Sequence, residues 1–313
     1  MPEKNLKRVV FIAGPTASGK SAAALLLAQR IGGEIVNADA IQVYRDLRIV
    51  SARPMVSEEA MAPHHLYGHV DGAERYSAGR WARDAARAIA EIHGRGRAAI
   101  VCGGAGLYFR ALEFGLSSAP SVPAEIVEAA EARWTAMGAD KFRDALLAVD
   151  PQMARLAPAD RQRHIRAWAV FQASGAPLSE IQTQKGAPGV ERVDARVVIA
   201  PPREALYQRI EARYDEMVSA GAPGEAAALA ARSLDPRLPV MKAVGAAELL
   251  AAERGEIDAA EAIALAKRNT RRFAKRQMTW FRNQAADWPR AATTQAAVTI
   301  VIKQLEEGDG CNL

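Results

Sequence analysis

The sequence has only two cysteines, and it contains no apolar run long enough to span a membrane. Cys102 and Cys311 lie far apart and form no Cys-x-x-Cys pair, so neither a disulfide framework nor a thiolate metal site is indicated. The first residues, MPEKNLK, lack the apolar core of a secretory signal. These absences predict a cytoplasmic protein that has no contact with a membrane.

A strong charge imbalance is also lacking, as are internal repeats and low-complexity tracts. Half of the 313 residues are apolar, a quarter are charged, and the net charge is +5 at pH 7. These values are ordinary for a globular protein with a sizeable core. The mild basic excess alone does not decide whether the partner is a nucleic acid.

The segment GPTASGKS, residues 14–21, matches the phosphate-loop pattern G-x-x-x-x-G-K-[ST] at every fixed position. It follows an apolar stretch typical of a buried strand and precedes an Ala/Leu-rich stretch typical of a helix. In that setting the glycines let the backbone curl around phosphate oxygens, and the helix N-terminus points at the anion. Lys20 adds a positive charge, and the Ser21 hydroxyl is placed to bind Mg²⁺. The segment therefore predicts a polyphosphate ligand.

Strand and helix patterns alternate on either side of this loop. The sequence predicts strands at residues 8–13, 34–37, 98–102 and 196–200, and helices at 21–28, 80–93, 203–220 and 297–305. This alternation is typical of an α/β fold with a P-loop NTPase-like parallel sheet covered by helices. Between two breaks rich in Pro, Ser or Gly, residues 124–184 show helical patterns only. We therefore predict a core of residues 1–116 and 191–313 and a mostly helical insertion at 117–190.

Asp39 is the one acidic residue at the C-terminal end of a predicted strand. The strands at 98–102 and 196–200 end without an acid, so the usual second Mg²⁺-binding acid is missing, which argues against a motor or a switch GTPase. In a parallel sheet, Asp39 shares its rim with the phosphate loop. That position favours a base or an acceptor for the attacking group, and an N-cap aspartate is the alternative.

Basic residues concentrate in two places. Residues 267–276 contain six of them, and on a helix Arg268, Arg271, Arg272, Lys275 and Arg276 fall mainly on one face. A second cluster, DRQRHIR, occupies residues 160–166. A solvated face and a contact with a phosphate backbone both fit such runs. Two clusters around one phosphate loop favour a nucleic-acid substrate.

The ordered motif set resembles the tRNA dimethylallyltransferases, also called tRNA isopentenyltransferases. The motifs are GPTASGKS, NADAIQVYR, Arg53-Pro54, PHHL at 63–66, GGAGLY at 103–108, the D-x-x-R-x-x-R-A spacing at 160–167, and TRRFAKRQMTWFR at 270–282. The resemblance covers about residues 8–282, and the order of the motifs is far more specific than any one of them.

The resemblance implies transfer of a dimethylallyl group from dimethylallyl diphosphate to N6 of adenosine-37, in tRNAs that read codons starting with U. The products would be N6-(dimethylallyl)adenosine and diphosphate, with Mg²⁺ as cofactor. The phosphate loop would then hold a leaving diphosphate rather than a nucleotide. A base undergoing chemistry must leave its stack, and the insertion is expected to clamp the anticodon stem-loop of the tRNA. A monomer is expected.

The resemblance also implies roles for individual residues. The implied catalytic residues are Asp39, Lys20 and Arg213, the last of which is otherwise a candidate surface ion pair. The implied diphosphate site is Gly14, Pro15, Thr16, Ala17, Ser18, Gly19, Lys20, Ser21 and Arg213, with Ser21 as the metal ligand. The implied tRNA contacts are Asp39, Ala40, Ile41, Gln42, Ala105, Gln162, Arg163, His164, Ile165, Arg166, Lys242, Ala243, Val244 and Gly245.

Four positions depart from the family's commoner pattern. Ala40 replaces a serine, Ala105 replaces the threonine of GGTGLY, Val127 replaces an arginine, and Ala246 replaces a tyrosine. The loss of two hydroxyls near the reacting centre is expected to lower the rate or relax selectivity. The diphosphate site is untouched.

Two other functions are compatible with part of the sequence. An ATP-dependent nucleoside-type kinase would use the phosphate loop but leaves the motif order unexplained, and a non-catalytic RNA-binding module has no use for Lys20. The histidines at 64, 65 and 69 suggest a loop more than a metal site, because adjacent histidines cannot share a helix face. The tryptophans at 81, 134 and 168 are expected in the core, and Trp280 fits either packing or stacking on RNA.

Overall fold

The computed structural model describes residues 7–117, 122–184 and 186–310. A parallel sheet crosses the larger part of it. Its strands are β1 (Val9–Ala13), β2 (Glu34–Asn37), β3 (His64–His65), β4 (Ala99–Gly103), β5 (Ala195–Ile199) and β6 (Arg290–Ala291). The spatial order is β3-β2-β4-β1-β5-β6, and every neighbouring pair is parallel.

Both faces of the sheet are covered, because helices form the connections between its parallel strands. The helices are α1 (Lys20–Ile31), α2 (Val56–Glu59), α3 (Ala78–Gly94), α4 (Gly106–Phe114), α5 (Ala124–Met137), α6 (Ala139–Val149), α7 (Arg161–Ser174), α8 (Leu178–Ile181), α9 (Arg203–Ser219), α10 (Ala222–Ala231), α11 (Ala246–Glu253), α12 (Ala259–Gln284) and α13 (Thr294–Gly310). Along β1, Phe11 packs into the cluster that contains Trp81 and Phe109, whereas Ile12 packs into the cluster formed with α1 and α13. The predicted fold class, a parallel sheet flanked by helices, is confirmed.

The carboxyl ends of β1, β2 and β4 lie side by side, because these strands are parallel neighbours in register. The chain after β4 comes so close to the chain after β2 that a Cβ on Gly103 would lie 2.0 Å from the carbonyl oxygen of Ala38. Only glycine permits that approach. The segments following three strands therefore meet at one rim, where ligands bind in open α/β sheets.

The sequence pattern missed two short strands and shortened one helix. Strands β3 and β6 have two residues each, too few to show a period, and both lie at the edges of the sheet. The segment at 41–77, expected to be irregular, also contains α2. Helix α13 begins three residues earlier and ends five residues later than the predicted 297–305.

Contacts divide the chain into two compact units. The first takes in the described parts of Met1–Glu113 and Gly189–Leu313, and the second those of Phe114–Pro188. The second unit is built from α5 to α8 around a core that includes Phe142, Leu146 and Trp168. The guanidinium of Arg133 lies 4.5 Å from the centre of the Trp168 ring. The insertion expected at 117–190 overlaps this unit, and its contact with tRNA stays a prediction.

Some sequence-based expectations concern positions outside the described residues, namely Cys311, Lys185 and residues 118–121 of the predicted breaks. Within the described ranges, no helix is both long and apolar enough to cross a membrane.

Candidate active site

The phosphate loop joins β1 to α1 and leaves the start of the helix open. Ala17 and Gly19 have left-handed backbone conformations, with φ of 62° and 92°. Gly19 is the N-cap of α1 and offers no side-chain acceptor to the first helical amides. Amides at an uncapped helix start need a partner, and the helix dipole favours an anion there. The loop is therefore shaped as an anion site.

Two cations converge on this loop, one from the loop itself and one from α9. The Lys20 ammonium donates to the carbonyl of Pro15 at 3.3 Å. Arg213 reaches in from α9 and donates to the Thr16 hydroxyl. Burial lowers the pKa of Lys20 and the pKa of Arg213, and the negative charge of Asp39 opposes the lowering in both. Asp39 is therefore close enough to both cations for its field to act on them.

The Asp39 carboxylate is held at one oxygen. Its Oδ1 accepts the backbone N–H of Ile41 at 2.9 Å and that of Gln42 at 3.4 Å. Within the described structure, no hydrogen bond engages Oδ2. One oxygen thus fixes the carboxylate's direction, and the other is available as an acceptor.

Asn37, the last residue of β2, supports the Asp39 turn from below. Its fully buried amide accepts the Asp39 N–H at 2.8 Å and donates to the Asp39 carbonyl at 3.1 Å. It also donates at 3.0 Å to the carbonyl of Leu66, whose φ is 63°. The Asn37 carbonyl accepts the Trp81 indole N–H at 2.7 Å. Sequence reasoning gave Asn37 no role, although its place two residues before the strand-end acid was a usable signal.

The glycine-rich segment after β4 lies against the same turn. The Ala38 N–H donates to the Cys102 carbonyl at 2.8 Å, and the Ala105 N–H donates to the Ala38 carbonyl at 3.0 Å. Burial raises the pKa of Cys102 to about 12 and also raises the pKa of Tyr108. Both groups therefore stay neutral near pH 7.

Gln277 of α12 joins the two loops of the site. Its Oε1 accepts the Thr16 N–H at 2.9 Å, and its Nε2 donates to the Gly104 carbonyl at 3.1 Å. The side chain is buried. Sequence reasoning placed Gln277 inside a basic run without a role, because a contact spanning 261 residues leaves no local pattern.

A metal ion at this rim would depend on a bound phosphate for most of its ligands. Across the described ranges, no three or more His, Cys, Asp or Glu side chains form a metal-binding group. The Ser18 hydroxyl is buried without a hydrogen-bond partner, and the Ser21 hydroxyl is exposed at the start of α1. Mg²⁺ is commonly held by few protein groups together with substrate phosphates and water, so this donor set fits Mg²⁺ that arrives with a diphosphate.

The three histidines considered as a metal site have other partners. His64 Nδ1 donates to the Ala62 carbonyl at 2.8 Å, His65 Nε2 lies 2.6 Å from a Glu34 carboxylate oxygen, and His69 Nε2 lies 3.3 Å from the Tyr76 hydroxyl. These contacts support the structural interpretation of the cluster.

Residues 242–245 lie in the same unit as the phosphate loop. Gly245 has a φ of 93° and is buried, and its carbonyl accepts the Tyr214 hydroxyl at 3.0 Å. Lys242 is exposed, Val244 is half-buried and Ala243 is buried. Tyr214 follows Arg213 in α9. The same helical turn therefore holds residues 242–245 through Tyr214 and places the Arg213 guanidinium at Thr16. Ala246, at the start of α11, is fully buried.

Of the other predicted tRNA contacts, several have side chains that are already engaged. Gln42 donates to the carbonyls of Ser51 and Ala52 at 2.9 and 2.8 Å, while Ala40 is exposed beside it. In the second unit, His164 and Ile165 are buried in the core. The three other predicted contacts on α7, Gln162, Arg163 and Arg166, are exposed.

Helix α12 divides its basic residues between two environments. Lys267 pairs with Asp215 at 2.6 Å, and Arg271 pairs with Glu211, so both are used in packing against α9. The exposed basic side chains of the helix are Arg268, Arg272, Lys275, Arg276 and Arg282. Trp280 lies against Gly106, where an added Cβ would meet its ring at 2.1 Å, so it packs the helix on the core.

Comparisons with known proteins find relatives over most of the chain. A family model described as IPP transferase matches residues 42–284, and one described as isopentenyl transferase matches residues 7–66. The chain is 54% identical over 284 residues to the tRNA dimethylallyltransferase of Phenylobacterium zucineum, covering 90% of this chain and 92% of that protein. It is 49% identical over 307 residues to that of Rhodopseudomonas palustris, with 96% of each chain covered.

Solved structures give the same result. The full-length tRNA isopentenylpyrophosphate transferase of Bacillus halodurans is similar with a TM-score of 0.68 and 31% identity, over 98% of this chain and 99% of that one. A eukaryotic dimethylallyltransferase acting on tRNA is similar with a TM-score of 0.77 and 27% identity, over 97% of this chain and 79% of that one. These matches are not kinases, so the kinase alternative has no support.

Proposed function

The chain belongs to the tRNA dimethylallyltransferase family, and we propose that it transfers a dimethylallyl group to N6 of adenosine-37 in tRNAs that read codons starting with U. The donor is dimethylallyl diphosphate. The observation that carries the proposal is the pairing, at one sheet rim, of a cation-lined phosphate loop with a carboxylate whose Oδ2 is available. The phosphate loop would hold the leaving diphosphate, and the carboxylate would accept the proton of the attacking amine.

The transfer exchanges one bond for another. The N6 nitrogen of adenosine bonds to C1 of the allyl group, while the bond from C1 to the diphosphate oxygen breaks and leaves its electron pair on the diphosphate. The N6 proton passes to Oδ2 of Asp39 and then to solvent. The exocyclic amine is a poor nucleophile, so a fixed acceptor that also orients it speeds the attack.

The leaving diphosphate gains negative charge as the bond breaks. Lys20, Arg213 and the free amides of Gly14–Ser21 face that charge from fixed positions, which is where electrostatic stabilisation is most effective. Mg²⁺ is the proposed cofactor, held by the Ser21 hydroxyl together with the diphosphate, and when bound it neutralises part of the same charge. The proposed catalytic residues are thus Asp39, Lys20 and Arg213.

The tRNA contacts are proposed from exposure as well as from the family pattern. On the first unit we propose Asp39–Gln42 and Ala105 for the target nucleotide, and Lys242–Gly245 with the exposed basic face of α12 for the backbone. On the second unit we propose the exposed residues of α7, with His164 and Ile165 supporting them from the core. The anticodon stem-loop of tRNA is the proposed ligand, and the chain is proposed to act as a monomer.

The test uses unmodified tRNA, Mg²⁺ and dimethylallyl diphosphate labelled in the allyl group. We expect label in the tRNA and N6-(dimethylallyl)adenosine after digestion to nucleosides. A transcript with guanosine at position 37 offers no N6 amine and serves as the matched control, so it should stay unlabelled. Consumption of ATP with no label in tRNA would overturn the proposal.

A further inference from the structure

We infer that Gln277 makes the phosphate loop selective for a diphosphate over a longer polyphosphate, because it occupies the amide that a third phosphate would need. The inference rests on the proposed function and deepens it, since it names what sets the phosphate number accepted by the site. It depends on which N–H groups of the loop are free to bind an anion.

Four positions in the loop have no amide left to offer an anion. The Gly14 N–H donates to the Gly103 carbonyl at 3.3 Å, and Pro15 has no N–H. The Thr16 N–H donates to Gln277 at 2.9 Å. The Ser18 N–H turns back to the Pro15 carbonyl at 3.3 Å. All four positions are therefore closed.

The other four positions of the loop are open. The amides of Ala17, Gly19, Lys20 and Ser21 have no acceptor among the described residues, and three of them surround the first turn of α1. Together with the Lys20 ammonium, they form a cradle at the helix start. In phosphate loops the backbone amides hold the inner phosphates, and the lysine reaches the outer ones. A phosphate chain that extended past Ala17 toward the start of the loop would next meet the Thr16 amide.

The Thr16 side chain is engaged as well. Its hydroxyl accepts from Arg213, which leaves the O–H able to donate, so Gln277 closes the amide of Thr16 and not its hydroxyl. To admit a phosphate oxygen at that amide, Gln277 would have to leave both Thr16 and the carbonyl of Gly104 while still buried. A buried amide left without partners lowers affinity by roughly tenfold or more.

The experiment compares inorganic pyrophosphate with inorganic tripolyphosphate at saturating Mg²⁺. Their dissociation constants for the full chain are measured by calorimetry, and their inhibition constants are measured against dimethylallyl diphosphate during transfer to tRNA. We expect the wild-type chain to prefer pyrophosphate. Gln277→Ala exposes the Thr16 amide and should reduce that preference at least tenfold, mainly by tighter binding of tripolyphosphate.

Two further variants separate selectivity from a loosened fold. Gln277→Glu loses the donor to Gly104, as the alanine variant does, but keeps an acceptor on Thr16 and adds a charge that repels a third phosphate. It should therefore keep or increase the preference for pyrophosphate. Gln284 lies on the same helix, where it accepts from Arg110 at the surface, and Gln284→Ala should change nothing.

The outcomes distinguish the inference from the proposed function. The inference is overturned if the wild-type chain binds both anions equally, if Gln277→Ala leaves the ratio unchanged, or if Gln277→Glu loses the preference as the alanine variant does. Calorimetry needs no transfer, so a chain that makes no modified tRNA still tests the selectivity. A failed transfer with the expected binding ratios would count against the proposed reaction alone.

Discussion

The diphosphate side and the base side of the site are built by different means. Residues 14–21 contain every fixed position of their motif in one continuous segment. The base side has one carboxylate, Asp39, and its turn is held by the buried amide of Asn37. It also lacks two hydroxyls of the commoner family pattern, at Ala40 and Ala105. The diphosphate side thus adds to its local motif a cation that reaches Thr16 across 197 residues. The bonds that direct Asp39 come from residues two or three positions away, and tertiary contacts enter where Asn37 is anchored to Leu66 and Trp81.

The largest loss of activity from one substitution is expected on the base side, where the adenosine amine would bind. Asp39→Ala removes the acceptor for the N6 proton, and we expect the single-turnover rate to fall about 10³-fold, within the usual range for a positioned base. tRNA affinity, measured by filter binding, should change only a few-fold, because the backbone contacts remain. An unchanged rate would remove Asp39 from its proposed role.

On the diphosphate side, charge should matter more than shape. Lys20→Met should lower kcat/KM for dimethylallyl diphosphate by about 10²-fold, as expected for one fixed group facing developing charge. Lys20→Arg keeps a positive charge and should lose less. Equal losses in the two variants would mean that the lysine acts through its packing rather than its charge.

On the diphosphate side, the pH profile of kcat/KM should fall at alkaline pH because Lys20 loses its proton. Burial lowers the pKa of Lys20 below its ordinary value of 10.5, and lysine works in its protonated form. In the free enzyme, kcat/KM should therefore fall as the pH rises through that lowered pKa. Lys20→Arg should move this limb to higher pH, because a guanidinium keeps its charge. A limb that stays in place would assign it to another group.

A smaller effect should come from the support beneath Asp39. Asn37→Asp keeps the shape but removes the N–H groups that donate to the Asp39 and Leu66 carbonyls. The turn that directs Asp39 should loosen, and we expect kcat to fall about tenfold, as for the loss of one or two hydrogen bonds.

The control for this change is an asparagine that binds elsewhere. Asn269 donates to Glu248 at 2.7 Å, so Asn269→Asp also removes an N–H donor. It should cost stability, measured as a lower Tm, without lowering kcat. If both variants lower kcat equally, the effect is not specific to the Asp39 turn.

Features encoded in local patterns could be predicted from the sequence, whereas contacts between distant residues could not. The phosphate loop and the long strands are local patterns, and Asp39 was found because it follows one of those strands. Gln277 and Arg213 reach Thr16 across 261 and 197 residues, and only the second was proposed, from a family pattern. The burial of His164 was within reach of helical periodicity, because it precedes Trp168 by one turn of α7.

The smallest predicted effect is a gain. Ala105 donates its N–H to the Ala38 carbonyl, so its side chain lies beside the Asp39 turn. Ala105→Thr restores a hydroxyl there, and one added hydrogen bond to the target nucleotide is worth about 0.5–1.5 kcal/mol, or roughly 2- to 10-fold in kcat/KM for tRNA. Ala105→Val adds the same bulk without the hydroxyl and should give no gain. If both variants lose activity, the residues around Ala105 have packed to fit alanine, and other groups make the contacts that the hydroxyls would have made.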